Sequence, residues 1–165
     1  MITFKEMTEN ELGFFNDLRN SCAVDYLHDS RQFTFKEAKN WFKHTKNKYY
    51  IIYFDKDKIG YFRLTNYSES NKNIYVGADL HEDWRGQGLS YMSYEHFIPY
   101  LFKSYQLHKI SLEVLANNTR AIKLYKKLGF VEDGIKREDV LKKTGYVDSI
   151  IMSLLKKEWK ERPAI

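Results

Sequence analysis

Leu80-His81-Glu82-Asp83-Trp84-Arg85-Gly86-Gln87-Gly88-Leu89-Ser90 places two glycines between a strand and a helix. The strand is the run Ile74 to His81, and the helical pattern begins near residue 88. Gly86 and Gly88 have no Cβ, so main-chain N–H groups there can turn toward one anion and approach it closely. The helix that follows adds the positive end of its dipole. A pyrophosphate needs this combination, although an ordinary glycine-bearing turn fits the same residues. The stretch is not a Walker loop, because no Gly-Lys-Ser/Thr follows, and it is not the G-x-G-x-x-G dinucleotide pattern.

Upstream, Ile2 to Met7 alternates as a first strand. Thr8-Glu9-Asn10-Glu11 and Thr34-Phe35-Lys36-Glu37 both match a capping box. Each precedes a helical stripe: Leu12, Phe15 and Leu18, then Phe35, Ala38, Trp41 and Phe42 to about residue 44. Tyr49 to Phe54 is a strong strand, Asp55 to Lys58 a turn, and Ile59 to Thr65 the returning strand of a hairpin.

Downstream, Pro99 falls inside the helical pattern and is expected to kink it or end it. Lys109 to Leu115 alternates, with Ile110, Leu112 and Val114 on one face and Glu113 on the other. Asn117 or Asn118 can cap a helix carrying Ala121, Leu124, Tyr125 and Leu128, and Gly129 suits its left-handed C-cap. Strands near 130–137 and 146–155 follow, and Leu154 to Lys160 reads as a short surface extension. The order β-α-α-β-β-β-α-β-α-β-β predicts an α/β (α+β) fold with a mixed sheet.

The 165 residues suffice for one domain over 1–165, with no repeat or flexible linker to divide it. Hydrophobic residues at 43% and charged residues at 30% fit a globular chain rather than a disordered one. The 13 Tyr and 11 Phe predict a ring-lined core and cleft. Tyr49 to Phe54, the longest apolar run, is too short to cross a bilayer, and the N-terminus has no apolar signal core. A lone Cys22 precludes an internal disulfide and fits a reducing, cytoplasmic setting, where the sequons at Asn66 and Asn117 are chance matches. The net charge of +5 favours anionic partners, but Lys and Arg are spread along the chain, so neither nucleic acid nor membrane is expected as a partner. His28, His44, His81, His96 and His108 show no metal-ligand spacing, and no metal is expected.

A second segment, Asn118-Thr119-Arg120-Ala121-Ile122-Lys123-Leu124-Tyr125-Lys126-Lys127-Leu128-Gly129-Phe130, joins the first. Together they resemble the GNAT superfamily of N-acetyltransferases. Arg85-Gly86-Gln87-Gly88-Leu89-Ser90 matches the family's Arg/Gln-x-x-Gly-x-Gly/Ala loop, with Ser90 departing from the usual Gly or Ala. Asn118, Ala121, Leu124, Tyr125, Gly129 and Phe130 match its Asn-x-x-Ala-x-x-Leu-Tyr-x-x-x-Gly-Phe helix. Gly134, Arg137, Gly145-Tyr146-Val147-Asp148 and Met152 look like the ribosomal-protein and polyamine acetyltransferase branch.

The resemblance implies a GNAT-like fold and acetyl-coenzyme A as cosubstrate. The strands Ile74–His81 and Lys109–Leu115 should splay, with the pantetheine arm in the gap against the backbone of Leu80 and His81. The pyrophosphate should sit on the N–H groups of Arg85, Gly86, Gln87, Gly88, Leu89 and Ser90, and Asn118 joins the coenzyme-binding set. An amine, protonated with a pKa of ~10, must lose a proton before attacking the thioester. The resemblance makes Tyr125 the acid for the departing thiolate; packing on the inner face of its helix is the other reading. Many relatives carry a base, a glutamate, where this chain has Tyr75. Glu113 and Asp79 are the carboxylates nearby, and each also reads as a structural or solvated charge.

The acceptor pocket in this family is built from the first two helices and their loop, here about residues 20–33, with Asp25, Tyr26, His28, Asp29 and Arg31. Asp25 and Asp29 suit a polyamine or α-amino group, and Arg31 a nucleotide-linked amino sugar. The expected partner is a small-molecule or peptide amine, and a homodimer is admitted. A coenzyme-binding sensor without turnover is the reading from another class.

Overall fold

Four consecutive residues, Tyr49 to Ile52, are buried, which explains why this strand is apolar without alternation: it is covered on both faces. It lies inside a seven-stranded sheet of order β1-β2-β3-β4-β5-β7-β6 in the computed structural model, which describes residues 1–161. The strands are β1 Ile2–Glu6, β2 Lys48–Phe54, β3 Asp57–Ser68, β4 Asn73–Leu80, β5 Lys109–Leu115, β6 Val131–Lys142 and β7 Gly145–Leu155. The helices are α1 Leu12–Ala23, α2 Phe35–His44, α3 Leu89–Ser104, α4 Thr119–Lys127 and α5 Lys156–Glu161. The mixed α/β fold expected from the sequence is the one observed. Every paired strand is antiparallel to its neighbour except β4 with β5, whose parallel run requires the crossover through α3.

One face packs under α3 and α4: Tyr50, Ile52, Phe62 and Val76 meet Phe97, Leu101 and Tyr125. The other packs under α1 and α2, where Tyr49, Ile51 and Tyr61 meet Phe15, Leu18 and Ala38. At roughly 1.5–3 kcal/mol for each large apolar side chain removed from water, these layers supply the main folding drive.

Local signals explain several boundaries. Thr34 caps α2: its Oγ1 accepts the Glu37 N–H at 3.2 Å while Glu37 accepts the Thr34 N–H at 2.8 Å. The Thr8 box caps a 3-10 turn, Glu9–Glu11, that leads into α1. Asn118, not Asn117, caps α4, accepting the Ala121 N–H at 3.2 Å. At its end the Phe130 N–H reaches the Tyr125 carbonyl and the Gly129 N–H that of Lys126, with Gly129 at φ +96°. This paired return is the Schellman arrangement.

Two expectations need correction. Of the two outcomes expected at Pro99, a kink or an end, the end does not occur, since α3 continues to Ser104. Pro99 itself is exposed while Leu101 and Phe102 beyond it are buried, and that burial offsets the cost of the missing N–H bond. The chain after β7 is a short helix, α5, rather than a plain extension; Trp159 packs against the α3/α4 core, and the Leu155 N–H reaches Glu158. Pro163 lies outside the described residues.

Candidate active site

β4 and β5 pair at only three positions: Asn73 with Lys109, Ile74 with Ile110 and Tyr75 with Ser111. Beyond these the strands diverge, as the resemblance implied. The His81 N–H bonds to the Ile59 carbonyl at 2.9 Å, which fixes the alternation along β4. Residues 77, 79 and 81 bond toward β3, so the peptide groups of Val76, Ala78 and Leu80 face the gap. On β5, the Ala116 N–H bonds to Asp148 in line with β7, so the peptide groups of Glu113 and Leu115 face the gap from the other side. Leu80 therefore fits the expected role, and the His81 amide does not, because β3 already engages it.

At the end of β4 the chain turns through Gly86 and Gly88, at φ +76° and +77°. Neither would bring an added Cβ within 4 Å of another part of the protein, so these glycines answer a backbone requirement and leave open space above the turn. The α3 ladder begins with Met92 N–H to Gly88 at 3.1 Å, so the amides of Leu89 and Ser90 precede it. The Gln87 side chain donates to the Asp83 carbonyl at 2.9 Å and pins the turn. Arg85 departs from expectation. Its N–H bonds to Glu82, its Nε to the Leu80 carbonyl at 2.9 Å, and its Nη2 to Cys22 Sγ at 3.3 Å. Arg85 thus ties the loop to β4 and α1, and an anion would meet the amides from Gly86 onward. Burial pushes the Cys22 thiol up, against a nucleophilic role.

Tyr125 is buried on the inner face of α4, its ring 5.8 Å from that of Tyr94 and 5.9 Å from Phe130. Burial raises its phenol above the ordinary value of 10.0. Glu113 points to the opposite face of the sheet, where Lys136 Nζ bonds it at 2.7 Å. Asp79 is structural. It accepts from Tyr61 at 2.5 Å and faces Arg63 at 3.6 Å, beneath α1.

A cavity of about 530 Å³ opens on the α1/α2 face beside the gap, reaching Val76, Gly77 and Glu113. Its wall is rich in rings, among them Phe15, Phe33, Trp41, Tyr49, Tyr61 and Tyr75. His28, Asp29 and Arg31 line it as expected; Asp25 and Tyr26 do not. Asp29 is held to about 2, chiefly by its bonds from Arg31, the shortest at 2.7 Å. Glu37 is occupied by the α2 cap and Arg63 by Asp79. The charges in the wall are thus largely matched within the protein.

Histidine spacing gave no hint of one cluster. His28 Nε2 lies 2.8 Å from Ser149 Oγ, 3.7 Å from Glu113 and 4.0 Å from Asp139. The ligand-type atoms of His28, Glu113 and Asp139 lie within 4.8 Å of one another. The partners come from β5, β6 and β7, far along the chain, so no local spacing could reveal them. Arg63 was also missed; an arginine inside the apolar run of β3 was its one visible signal.

The split sheet with a glycine-turned helix N-terminus at its opening is the architecture of solved N-acetyltransferases. The crystal structure of spermidine N-acetyltransferase from Vibrio cholerae in complex with CoA and spermine matches with a TM-score of 0.90 at 23% identity, covering 97% of this chain and 98% of that one. The Acetyltransferase (GNAT) family model matches residues 12–130, and the chain belongs to that family. Among relatives, N-acetyltransferase p20 of Bacillus licheniformis is 31% identical over 114 residues, 68% of this chain and 64% of its own. Spermine/spermidine N(1)-acetyltransferase of Bacillus subtilis is 31% identical over 127 residues, 70% of this chain and 84% of its own. The [ribosomal protein uS5]-alanine N-acetyltransferase of Escherichia coli is 24% identical over 73% of this chain and 64% of its own. The chain thus spans just under two thirds of p20 and of the uS5-alanine enzyme. No described helix is long and apolar enough to cross a membrane.

Proposed function

We propose that this chain transfers the acetyl group of acetyl-coenzyme A directly to a primary amine. The observation that carries the reading is the opening between β4 and β5, lined by strand amides and closed at one end by the Gly86–Ser90 turn. A pantetheine arm has the same amide spacing to offer Leu80 and its neighbours as a strand would. The amides from Gly86 to Ser90 suit the diphosphate. A main-chain N–H of β4, that of Leu80 first, suits the oxyanion. Tyr125, kept protonated by burial, suits the departing thiolate. Asn118 holds the start of α4 and leaves its amide nitrogen for the coenzyme. Glu113 acts at the acceptor side of the gap.

The acceptor reading is a small or terminal primary amine whose body packs against rings. By their names, relatives above act on spermine or spermidine or on an alanine of ribosomal protein uS5, and these remain the classes to test first. With Asp29 and Arg31 bonded to each other, neither is held ready for a polyamine or for the phosphates of a nucleotide-linked sugar. A homo-oligomer is proposed as well: the edge strand β6 leaves Val131, Ile135 and Leu141 exposed, and a dodecameric form is named for the Vibrio cholerae enzyme.

The test is release of free thiol from acetyl-coenzyme A across a panel of amines. Amine-dependent release is expected. Coenzyme binding without release, over polyamines, peptide N-termini and aromatic amines alike, would mean a sensor instead.

A further inference from the structure

We propose that His28 is the base that takes the proton from the acceptor amine, held for that task by Ser149, Glu113 and Asp139. The inference rests on the acetyl-transfer reading and adds the residue which that reading lacks. Tyr75 stands where many relatives carry a glutamate, and Asp79 is buried beneath α1, bonded by Tyr61 and faced by Arg63. Glu113 is paired with Lys136 at 2.7 Å and faces His28 Nε2 at 3.7 Å, so it serves the imidazole rather than the amine. His28 lines the cavity with Glu113, Val76 and Gly77, on the face where the strands part. Its imidazole is two thirds covered, with 34% of the side chain exposed.

The surroundings of the ring assign its tautomer. Nε2 faces Ser149 Oγ at 2.8 Å and two carboxylates at 3.7 and 4.0 Å. A nitrogen among acceptors keeps its hydrogen, so Nδ1 carries the lone pair. When Nδ1 takes a proton, the imidazolium is stabilised from the Nε2 side by Glu113 and Asp139, the logic of a carboxylate behind a catalytic histidine. Lys136 on β6 and Arg63 on β3 oppose that charge, and burial lowers the pKa of the ring below 6.5. The free base therefore predominates at neutral pH.

The step balances. An ammonium group gives one proton to Nδ1, and its nitrogen forms a bond to the thioester carbonyl carbon. The C–S bond breaks, the thiolate gains a proton from Tyr125, and the second proton lost by nitrogen restores the phenol. The imidazolium then releases its proton to solvent.

The experiment compares thiol release by the unaltered protein, His28→Gln, His28→Gly and Asp139→Asn. For His28→Gln, kcat should fall roughly 10²-fold or more while the KM for acetyl-coenzyme A stays near its original value. Added imidazole should restore part of the rate of His28→Gly. Asp139 is exposed, so Asp139→Asn should fold normally. By removing a charge that raises the His28 pKa, it should move the acid limb of the rate profile to lower pH. Near-normal kcat in His28→Gln, or an acid limb unmoved in Asp139→Asn, would overturn the role of His28 while leaving acetyl transfer standing. Failure of the unaltered protein to release thiol with any amine would instead overturn acetyl transfer, and the role with it. If His28→Gln does not fold, the Asp139→Asn profile decides alone.

Discussion

The guanidinium of Arg63 on β3 lies 3.6 Å from the carboxylate of Asp79 on β4. It reaches diagonally across Gly77, where a Cβ would stand 2.5 Å from Nη2. Asp79 is 9% exposed and Arg63 about a third, so the pair sits between a surface bridge and a sealed one. Loss of one partner from a sealed pair costs about 3–5 kcal/mol, and an exposed pair contributes under about 1. Asp79→Asn removes the charge and keeps the acceptor for Tyr61, so a loss of about 2–3 kcal/mol is expected, read from urea unfolding. A loss below about 0.5 kcal/mol would show that water already screens the pair.

Gly88 tests the loop. At φ +77° a β-branched side chain is strained, although the protein leaves it room. Gly88→Val should therefore cost about 1–2 kcal/mol in stability, and the larger effect should fall on the coenzyme. Calorimetry should show acetyl-coenzyme A affinity lowered at least roughly 10-fold, because one lost charge-assisted amide bond alone is worth about 1.5–3 kcal/mol. Undiminished affinity would place the diphosphate elsewhere.

Asn118 has a structural task that can be measured apart from any ligand. Its Oδ1 accepts the Ala121 N–H at 3.2 Å at the start of α4. Asn118→Ala should lower stability by about 1 kcal/mol, visible in the unfolding midpoint. Asn118→Asp keeps the acceptor and adds negative charge at a helix N-terminus, so it should recover that stability. If Asn118→Asp is stable yet binds coenzyme poorly, the amide nitrogen or the lost neutrality matters to the ligand.

What could be read from the sequence was what the chain does over short distances. The Thr34 box, the Asn118 cap and the Gly129 return are made within a few residues, and each stands where the residue types put it. The β2–β3 hairpin followed from an apolar run, the Asp55–Lys58 turn and a returning strand, and the parity of Glu113 from period-two alternation along β5. Pro99 does not end α3, although its local penalty is real, because the burial of Leu101 and Phe102 that offsets it is tertiary. Arg85 reads from sequence as one of the phosphate amides because the short 3-10 turn that engages its N–H with the Glu82 carbonyl leaves no mark in the residue types, and its side-chain partner Cys22 is 63 positions away. The same holds for His28, whose partner Ser149 is 121 positions away and whose spacing to any other histidine means nothing.

Tyr125 carries the last test. Its ring is buried between Tyr94 and Phe130, so Phe in its place preserves the packing and removes only the hydroxyl. Stability should change by less than about 1 kcal/mol, within the range for one hydrogen-bonding group lost from a buried site. If the hydroxyl protonates the thiolate, kcat should fall by roughly 10²-fold or more, with coenzyme affinity little changed, because the group acts in the transition state and not in binding. The pH dependence adds a second reading. A phenol is neutral below its pKa, and burial lifts this one above 10.0. The acid form thus predominates through neutral and mildly basic pH, and a basic limb in that range must come from another group. Tyr125→Phe should therefore lower the profile across neutral pH without moving its acid limb, which belongs to the base. A variant with undiminished kcat would leave Tyr125 with packing as its sole task, and the thiolate would have to take its proton from water.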